Sequence, residues 1–135
     1  MDQPDGSAAA PVRVLLADDD PSFVESLRPL IEQQPALRVA GVAANGLDAI
    51  ELADRLDPDA VVIDLHMPIV DGVTAVARLR KDHPSLCLIA LTGDDDSVLH
   101  EAVTEAGADA VLLKSDLVDS LVERLHAVRA EQGHG

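Results

Sequence analysis

A regular alternation of short apolar runs with longer amphipathic stretches constrains the fold of this chain more than any other feature. Each run is too short for an isolated helix and too continuous for a strand with one wet face, so it predicts a strand covered on both sides. The runs are Val12–Ala17, Leu37–Ala43, Ala60–Asp64, Leu86–Thr92 and Asp109–Leu113. Strands of this kind are typical of a parallel sheet.

Five amphipathic stretches follow the runs, and each predicts a helix. Asp20 and Asn45 are expected to cap the first two helices, and Gly107 is expected just after the fourth. Leu47 belongs to the apolar positions of the second helix, and Val98 opens the stripe Val98, Ala102 and Ala106 of the fourth. The predicted helices are Pro21–Gln34, Gly46–Leu56, Gly72–His83, Ser97–Ala106 and Leu117–Glu131.

This alternation predicts an α/β fold with five βα units, (βα)5, and right-handed crossovers. The expected architecture is a doubly wound, flavodoxin-like five-stranded parallel sheet of order 2-1-3-4-5, with its ligand crevice at the carboxyl ends of strands 1 and 3. We expect one domain over residues 12–131. Residues 1–11 read as a disordered tail and 132–135 as a C-terminal tail, which leaves no room for a DNA-binding domain in this chain.

The charge of the chain argues against several partners. Its 25 acidic residues exceed its 10 basic ones, for a net charge of -15. Phosphate backbones and anionic membrane surfaces repel such a chain, so no direct nucleic-acid or membrane binding is expected. No apolar run approaches the ~20 residues of a membrane span. Without a signal peptide, and with Cys87 as a single, buried thiol, a cytoplasmic location is expected.

Polar side chains stand at the carboxyl ends of the predicted central strands. Asp18 and Asp19 follow the first strand, Asp64 ends the third, Thr92 ends the fourth and Lys114 follows the fifth. Parallel strands bring these ends to one edge of the sheet, so the side chains should meet in one crevice. Two carboxylates ~4 Å apart repel by about 1 kcal/mol in water and about 4 kcal/mol at an effective dielectric of 20. The cluster therefore needs a cation.

The donor set suggests a particular chemistry for this crevice. Mg²⁺ prefers oxygen ligands and binds through one or two carboxylates together with a phosphate. A carboxylate can itself attack phosphorus and form an acyl phosphate. A lysine and a hydroxyl would then neutralise the phosphoryl oxygens.

These motifs together resemble the receiver domains of two-component response regulators, which have the CheY-like fold. The resemblance covers residues from about 12 to 130. Its pattern is closest to receivers of the NarL/FixJ type, the subfamily that usually carries a helix-turn-helix output domain. The matching segments are Leu15–Asp19, Val62–Pro68, Asp71–Gly72, Leu91–Gly93 and Gly107–Ser115.

The resemblance implies a phosphorelay function and a role for each site residue. Asp64 would accept a phosphoryl group from a histidine kinase, a phosphotransfer protein or a small phosphodonor. Mg²⁺ would be held by Asp64, Asp19 and the backbone carbonyl of His66, with Asp18 supporting it through water. The chain would then be a regulatory phosphoacceptor rather than an enzyme, acting on a downstream partner or an output domain. Homodimer formation on phosphorylation is left open.

The resemblance also implies how a switch would work. Lys114 would pair with a phosphoryl oxygen, and Thr92 would hydrogen-bond another and move. Pro68 and Gly72 would shape the loop after the acceptor. Receivers often carry an aromatic residue three positions before the lysine, where this chain has Val111. Transmission is therefore expected through the backbone of the Gly93–Asp96 loop and a shift of the Val98 stripe. His66 and Asp94 occupy the positions that tune acyl-phosphate lifetime in the family.

Two other classes remain open. A phosphatase of the haloacid dehalogenase type uses the same kinds of residue, but it places the nucleophile strand first and needs a second acid two residues after the nucleophile. In this chain the acidic pair comes first, and the residue two positions after Asp64 is His66 rather than an acid. A non-phosphorylated interaction module is the other alternative, which Val111 keeps open and the complete acceptor set opposes.

Overall fold

The computed structural model describes residues 10–67, 71–93 and 97–132. Its strands are β1 (Val12–Ala17), β2 (Leu37–Ala43), β3 (Ala60–Asp64), β4 (Cys87–Thr92) and β5 (Ala110–Leu113). Its helices are α1 (Pro21–Glu32), α2 (Gly46–Leu56), α3 (Gly72–Asp82), α4 (Ser97–Ala106) and α5 (Leu117–Gln132), with a 3-10 turn over Lys114–Asp116 before α5. All paired strands are parallel, in the order β2-β1-β3-β4-β5. The predicted topology is confirmed.

The sheet is covered on both faces, as the continuous apolar runs predict. One core cluster packs α2, α3 and α4 against one face, with Val61, Ile63 and Leu88 fully buried. The other packs α1 and α5 against the opposite face, with Val62 and Ile89 at its centre. Successive residues of β3 alternate between the two clusters, which is the period-two geometry of a strand.

The predicted caps are in place. The Asp20 carboxylate accepts hydrogen bonds from the amides of Ser22 and Phe23, and Asn45 accepts from that of Asp48. Gly107 follows α4 with φ of 124°, a backbone region that favours glycine. These contacts satisfy orphan groups at the helix ends and fix where each helix begins or stops.

Several predicted boundaries differ from the observed ones. β4 begins at Cys87 and β5 at Ala110, each one residue late. Asp109 still donates its amide to Leu88 O (2.7 Å), but it lies outside β5 because its carboxylate, rather than a backbone carbonyl, accepts from Leu88 N (2.8 Å). Helices α1 and α3 end at Glu32 and Asp82, and α5 continues to Gln132, which therefore belongs to the helix rather than to a tail.

Two helix faces differ from the sequence-based prediction. Leu47 is 44% exposed, because α2 buries its small residues Ala49 and Ala53 instead. Val98 is 74% exposed, and the buried residue of α4 is Val103. Cys87 is only partly buried rather than buried, since it lies at the start of its strand.

A guanidinium group joins α3 to the far end of α4. Arg80 donates to Gly107 O through Nε (3.0 Å) and Nη2 (2.9 Å), and pairs with the Asp109 carboxylate at 2.8 Å. Its Nη1 donates to the carbonyls of Pro84 (2.7 Å) and Leu86 (2.8 Å). One side chain thus provides hydrogen-bond donors for backbone carbonyls in the turns that lead into β4 and β5.

Some expectations concern residues outside the described ranges. Pro68, Asp94 and the tails over 1–9 and 133–135 belong to this group. Among the described helices, none has the length and apolar character required to cross a bilayer.

Candidate functional site

Three carboxylates meet at the carboxyl edge of the sheet. Asp18 follows β1, Asp64 ends the neighbouring β3, and Asp19 stands in the loop between β1 and α1. Each offers an oxygen, and these oxygens lie within 4.8 Å of one another. Asp64 and Asp18 are 4% and 6% exposed, whereas Asp19 is open to solvent. The structure therefore brings the predicted acidic set together, with one carboxylate accessible.

Hydrogen bonds fix the loop that carries the first two acids. The Asp18 amide donates to Ala43 O of β2 (3.0 Å), and the Asp18 carboxylate accepts from the Asp20 amide (2.9 Å). Asp20 in turn caps α1, as its position before Pro21 predicts. One oxygen of Asp18 is thereby committed to the loop, and the other faces the crevice.

Asp64 is held by the backbone that follows it. Its Oδ1 accepts from the His66 amide (3.1 Å), while Leu65 N donates to Leu91 O (2.9 Å) of β4. The start of α3 closes over this turn: Gly72 N donates to Leu65 O, and a Cβ on Gly72 would lie 2.5 Å from Leu65 Cα. Only glycine fits there, which agrees with the loop-shaping role expected for it.

Lys114 enters the crevice from the end of β5. Its Nζ donates to Asp18 Oδ2 at 2.9 Å and lies 3.5 Å from Asp64 Oδ2. The same nitrogen lies 4.3 Å from the centre of the Phe23 ring in the first turn of α1. The sequence reasoning missed Phe23, although it is the only aromatic residue of the chain. Phe23 and Lys114 are far apart in the sequence and belong to different elements, so no periodic pattern could predict their contact.

The pKa values of Asp64 and Lys114 are both raised in the crevice. Each results from burial of the group and from its charged and hydrogen-bonding neighbours. Burial raises the pKa of Asp64, aided by the negative charge of Asp18, and these outweigh the His66 amide and Lys114, which lower it. Burial alone would lower the pKa of Lys114, but its hydrogen bond to Asp18 and the charges of Asp64 and Asp18 raise it. Lys114 is thus kept protonated, while an added cation would favour the charged form of Asp64.

Thr92 lies on β4, the strand beside β3, and Val111 lies on β5, the edge strand beyond it. Thr92 is fully buried at the end of β4, one residue beyond Leu91, which pairs with Asp64. On β5, Val111 pairs with Ala90 of β4 and packs against the core cluster that includes α4. His66 is exposed, and its backbone amide is committed to Asp64. The metal-binding role of its carbonyl stays a prediction.

Comparison with protein-family models identifies this arrangement. Residues 14–126 match the model of the response regulator receiver domain. The chain belongs to that family. The predicted resemblance is confirmed, and the chain is a receiver of the two-component systems.

Relatives and solved structures agree with the membership. NarP, a nitrate/nitrite response regulator of Escherichia coli (strain K12), is 37% identical over 88% of this chain and 55% of NarP. A protein-glutamate methylesterase of Pseudoalteromonas atlantica is 34% identical over 87% of this chain but only 35% of that enzyme. The signal receiver domain of NarL from Mycobacterium tuberculosis superposes with a TM-score of 0.84 at 26% identity, covering 90% of this chain and 98% of that domain.

The chain spans about half the length of the nitrate/nitrite regulators that it matches, 55% of NarP and 56% of NarL from Escherichia coli (strain K12). The response regulator domain of CheB from Thermotoga maritima, with a TM-score of 0.81 at 25% identity over 87% of this chain and 96% of that domain, has the same fold. The relatives therefore include regulators of different kinds that share this receiver.

Proposed function

We propose that this receiver accepts a phosphoryl group on Asp64 from a histidine kinase, a phosphotransfer protein or a small phosphodonor. The observation that carries the proposal is the position of the Asp64 carboxylate, which is buried at the end of the central strand, 3.5 Å from the ammonium of Lys114. A buried carboxylate beside a fixed cation is a suitable nucleophile toward a phosphoryl group, whose charge the cation then neutralises.

The acidic set fits Mg²⁺ as the cofactor. Oxygens of Asp18, Asp19 and Asp64 lie close enough to share one small cation, and Mg²⁺ favours carboxylate oxygens together with water and phosphate. The proposed protein ligands are Asp19, Asp64 and the carbonyl of His66, with Asp18 acting through water. Bound there, Mg²⁺ supplies charge neutralisation for the phosphoryl oxygens.

The residues divide the transfer between them. An oxygen of Asp64 attacks the donor phosphorus, an O–P bond forms, and the bond to the donor's leaving group breaks with its electron pair going to that group. Lys114 needs to move little to reach a phosphoryl oxygen, because its nitrogen is already 3.5 Å from Asp64 Oδ2. The Thr92 hydroxyl, at the end of the adjacent strand, hydrogen-bonds another phosphoryl oxygen after transfer.

The downstream role follows from family membership and from charge. We infer a regulatory role in the cytoplasm, exerted on a partner protein or an output domain, because this chain matches only 55% of NarP and 56% of NarL. The net charge of -15 opposes direct binding of nucleic acid by these 135 residues. The chain could also act by forming a dimer when phosphorylated. Comparing the molecular mass of the phosphorylated and unphosphorylated chain in solution would test this.

Acetyl phosphate tests the proposed function. Incubation with acetyl phosphate and Mg²⁺ should add the mass of one phosphoryl group, and omission of Mg²⁺ should prevent it. A haloacid dehalogenase-type phosphatase would instead turn over a generic ester such as p-nitrophenyl phosphate. An unmodified chain with no turnover would favour a non-phosphorylated interaction module and overturn the proposal.

We expect Mg²⁺ to stabilise the fold through Asp19. Mutual repulsion among the three carboxylates is relieved when the cation binds, and a hundredfold excess over Kd stabilises by about 2.7 kcal/mol. Asp19→Asn should lose most of the Mg²⁺-dependent rise in Tm while leaving the metal-free protein as stable or more so. Thermal denaturation with and without Mg²⁺ measures both.

Asp20→Ala provides the contrast for this experiment, because Asp20 caps α1 with hydrogen bonds to Ser22 and Phe23. That variant should lower the metal-free stability by about 1 kcal/mol. If Asp19→Asn behaves in the same way, Asp19 is a structural residue rather than a metal ligand.

We expect Thr92 to carry the response to phosphorylation. Thr92→Ala removes the hydroxyl that would follow the phosphoryl group, so phosphorylation should persist while the distant response disappears. In the wild type, amide shifts should change strongly over Gly93–Glu101, whereas the Val111 side chain, which is β-branched and stiff, should respond only weakly. Because Val98 is exposed and Val103 is buried, the response of α4 should reach the core through Val103. Large changes at Val111 with a still α4 would contradict this route.

A further inference from the structure

We propose that Phe23 is a positioning residue that holds the Lys114 ammonium in the acceptor crevice through a cation–π contact. The inference rests on the proposed function of Asp64, because positioning matters only where a phosphoryl group arrives. It starts from one distance: Lys114 Nζ lies 4.3 Å from the centre of the Phe23 ring. That separation lies within the range of an attractive cation–π interaction.

The ring lies against a cation whose other contacts are carboxylates. Lys114 Nζ donates to Asp18 at 2.9 Å and lies 3.5 Å from Asp64. A lysine has a flexible four-carbon stem, and this one is still 25% exposed. Without the ring, only the two carboxylates would hold the ammonium, and it would spend more time toward solvent. With the ring in place, the ammonium remains beside the two acids.

The ring itself is fixed by the loop that holds Asp18. Asp18 accepts from the Asp20 amide, Asp20 caps α1, and the capped amides include that of Phe23. Beyond this turn, the Phe23 side chain packs against the core cluster of α1 and α5. Asp18 and the Phe23 ring are therefore parts of one rigid turn, and Lys114 contacts both.

This arrangement gives Phe23 a role in the chemistry of the site without contact with the reacting atoms. A pre-positioned ammonium can neutralise the phosphoryl oxygens with little rearrangement, which is where electrostatic stabilisation is most effective. A cation–π contact of this kind corresponds to roughly a two- to fivefold effect on an equilibrium or a rate.

Competitive acetylation of lysine tests the positioning directly. The chain has two lysines, and Lys81 is exposed, so it serves as the internal standard. In Phe23→Leu, the acetylation rate of Lys114 relative to Lys81 should rise roughly two- to fivefold, because the ring no longer retains the ammonium. Phe23→Tyr keeps a π face and should restore the wild-type ratio. Val24→Ala trims a neighbouring core contact and should leave the ratio unchanged.

The phosphorylation rate with acetyl phosphate provides the second readout. It should fall by a similar factor in Phe23→Leu and recover in Phe23→Tyr, with Tm measured for every variant. An unchanged Lys114 acetylation ratio in Phe23→Leu would overturn the positioning role, as would an equal change in Val24→Ala. If the wild type takes no phosphoryl group, the proposed function fails, and the acetylation ratio alone still decides whether Phe23 holds Lys114.

Discussion

Asp64→Asn is expected to abolish the phosphoryl mass shift that acetyl phosphate and Mg²⁺ produce in the wild type. The amide that replaces the carboxylate is neutral and a poor nucleophile, so labelling should fall by more than about a hundredfold. The stability of the fold should not decrease. Burial raises the pKa of Asp64, so the site resists the charged form, and asparagine has nearly the same size and shape. Metal-free Tm is therefore expected to stay the same or to rise.

A matched exchange elsewhere separates loss of the acceptor from loss of charge. Asp82 forms a surface ion pair with Arg78 at 2.8 Å on α3, away from the crevice. Asp82→Asn should be labelled like the wild type. Mass spectrometry of both variants at the same protein and donor concentrations is sufficient. Labelling of Asp64→Asn to the wild-type extent would show that the acceptor is another residue.

Gly72→Ala is expected to have the largest effect on stability of any single methyl addition near the site. The new Cβ would lie 2.5 Å from Leu65 Cα and 2.8 Å from Asp64 O, both of them backbone atoms that cannot move aside cheaply. We expect a loss of about 2–3 kcal/mol, at the upper end for overpacking, and a Tm lower by roughly 10 °C. The turn after Asp64 must shift, so phosphorylation should slow as well.

Gly93→Ala is the control for this substitution. Among the described residues, a Cβ at Gly93 would meet no heavy atom within 4 Å, so the same chemical change adds no clash with them. Its Tm should stay within a few degrees of the wild type. Equal destabilisation of the two variants would mean that the effect of Gly72→Ala arises from the unfolded chain rather than from contact with Leu65.

The fold was predictable because burial on both faces leaves a mark in sequence. β3 is apolar at successive positions Val61, Val62 and Ile63, and only a sheet covered by helices on both sides tolerates that pattern. The acceptor site was predictable for a related reason. Asp18 and Asp64 interrupt apolar strands at their carboxyl ends, and the parallel topology brings those ends together.

Helix faces and contacts between distant elements were not predictable in the same way. α2 buries Ala49 and Ala53 and exposes Leu47, because the close approach of helix and sheet selects small residues over large ones. The contact of Phe23 with Lys114 joins α1 to the end of β5, and no spacing in the sequence encodes it. Such contacts depend on how helices settle on the sheet, which hydrophobic periodicity alone does not specify.

The arginine that joins α3 to the end of α4 determines how α4 can move. Arg80 grips Gly107 O, just past the last turn, while the first turn of α4 follows the strand that ends in Thr92. A helix of ten residues is about 15 Å long. We therefore expect a displacement near Ser97 to rotate α4 about Gly107 rather than to slide it along the sheet, because Arg80 holds that end. Val98, in the first turn of α4, would then move farther than the residues near Gly107. It is 74% exposed, so the surface that changes most is one that a partner can reach.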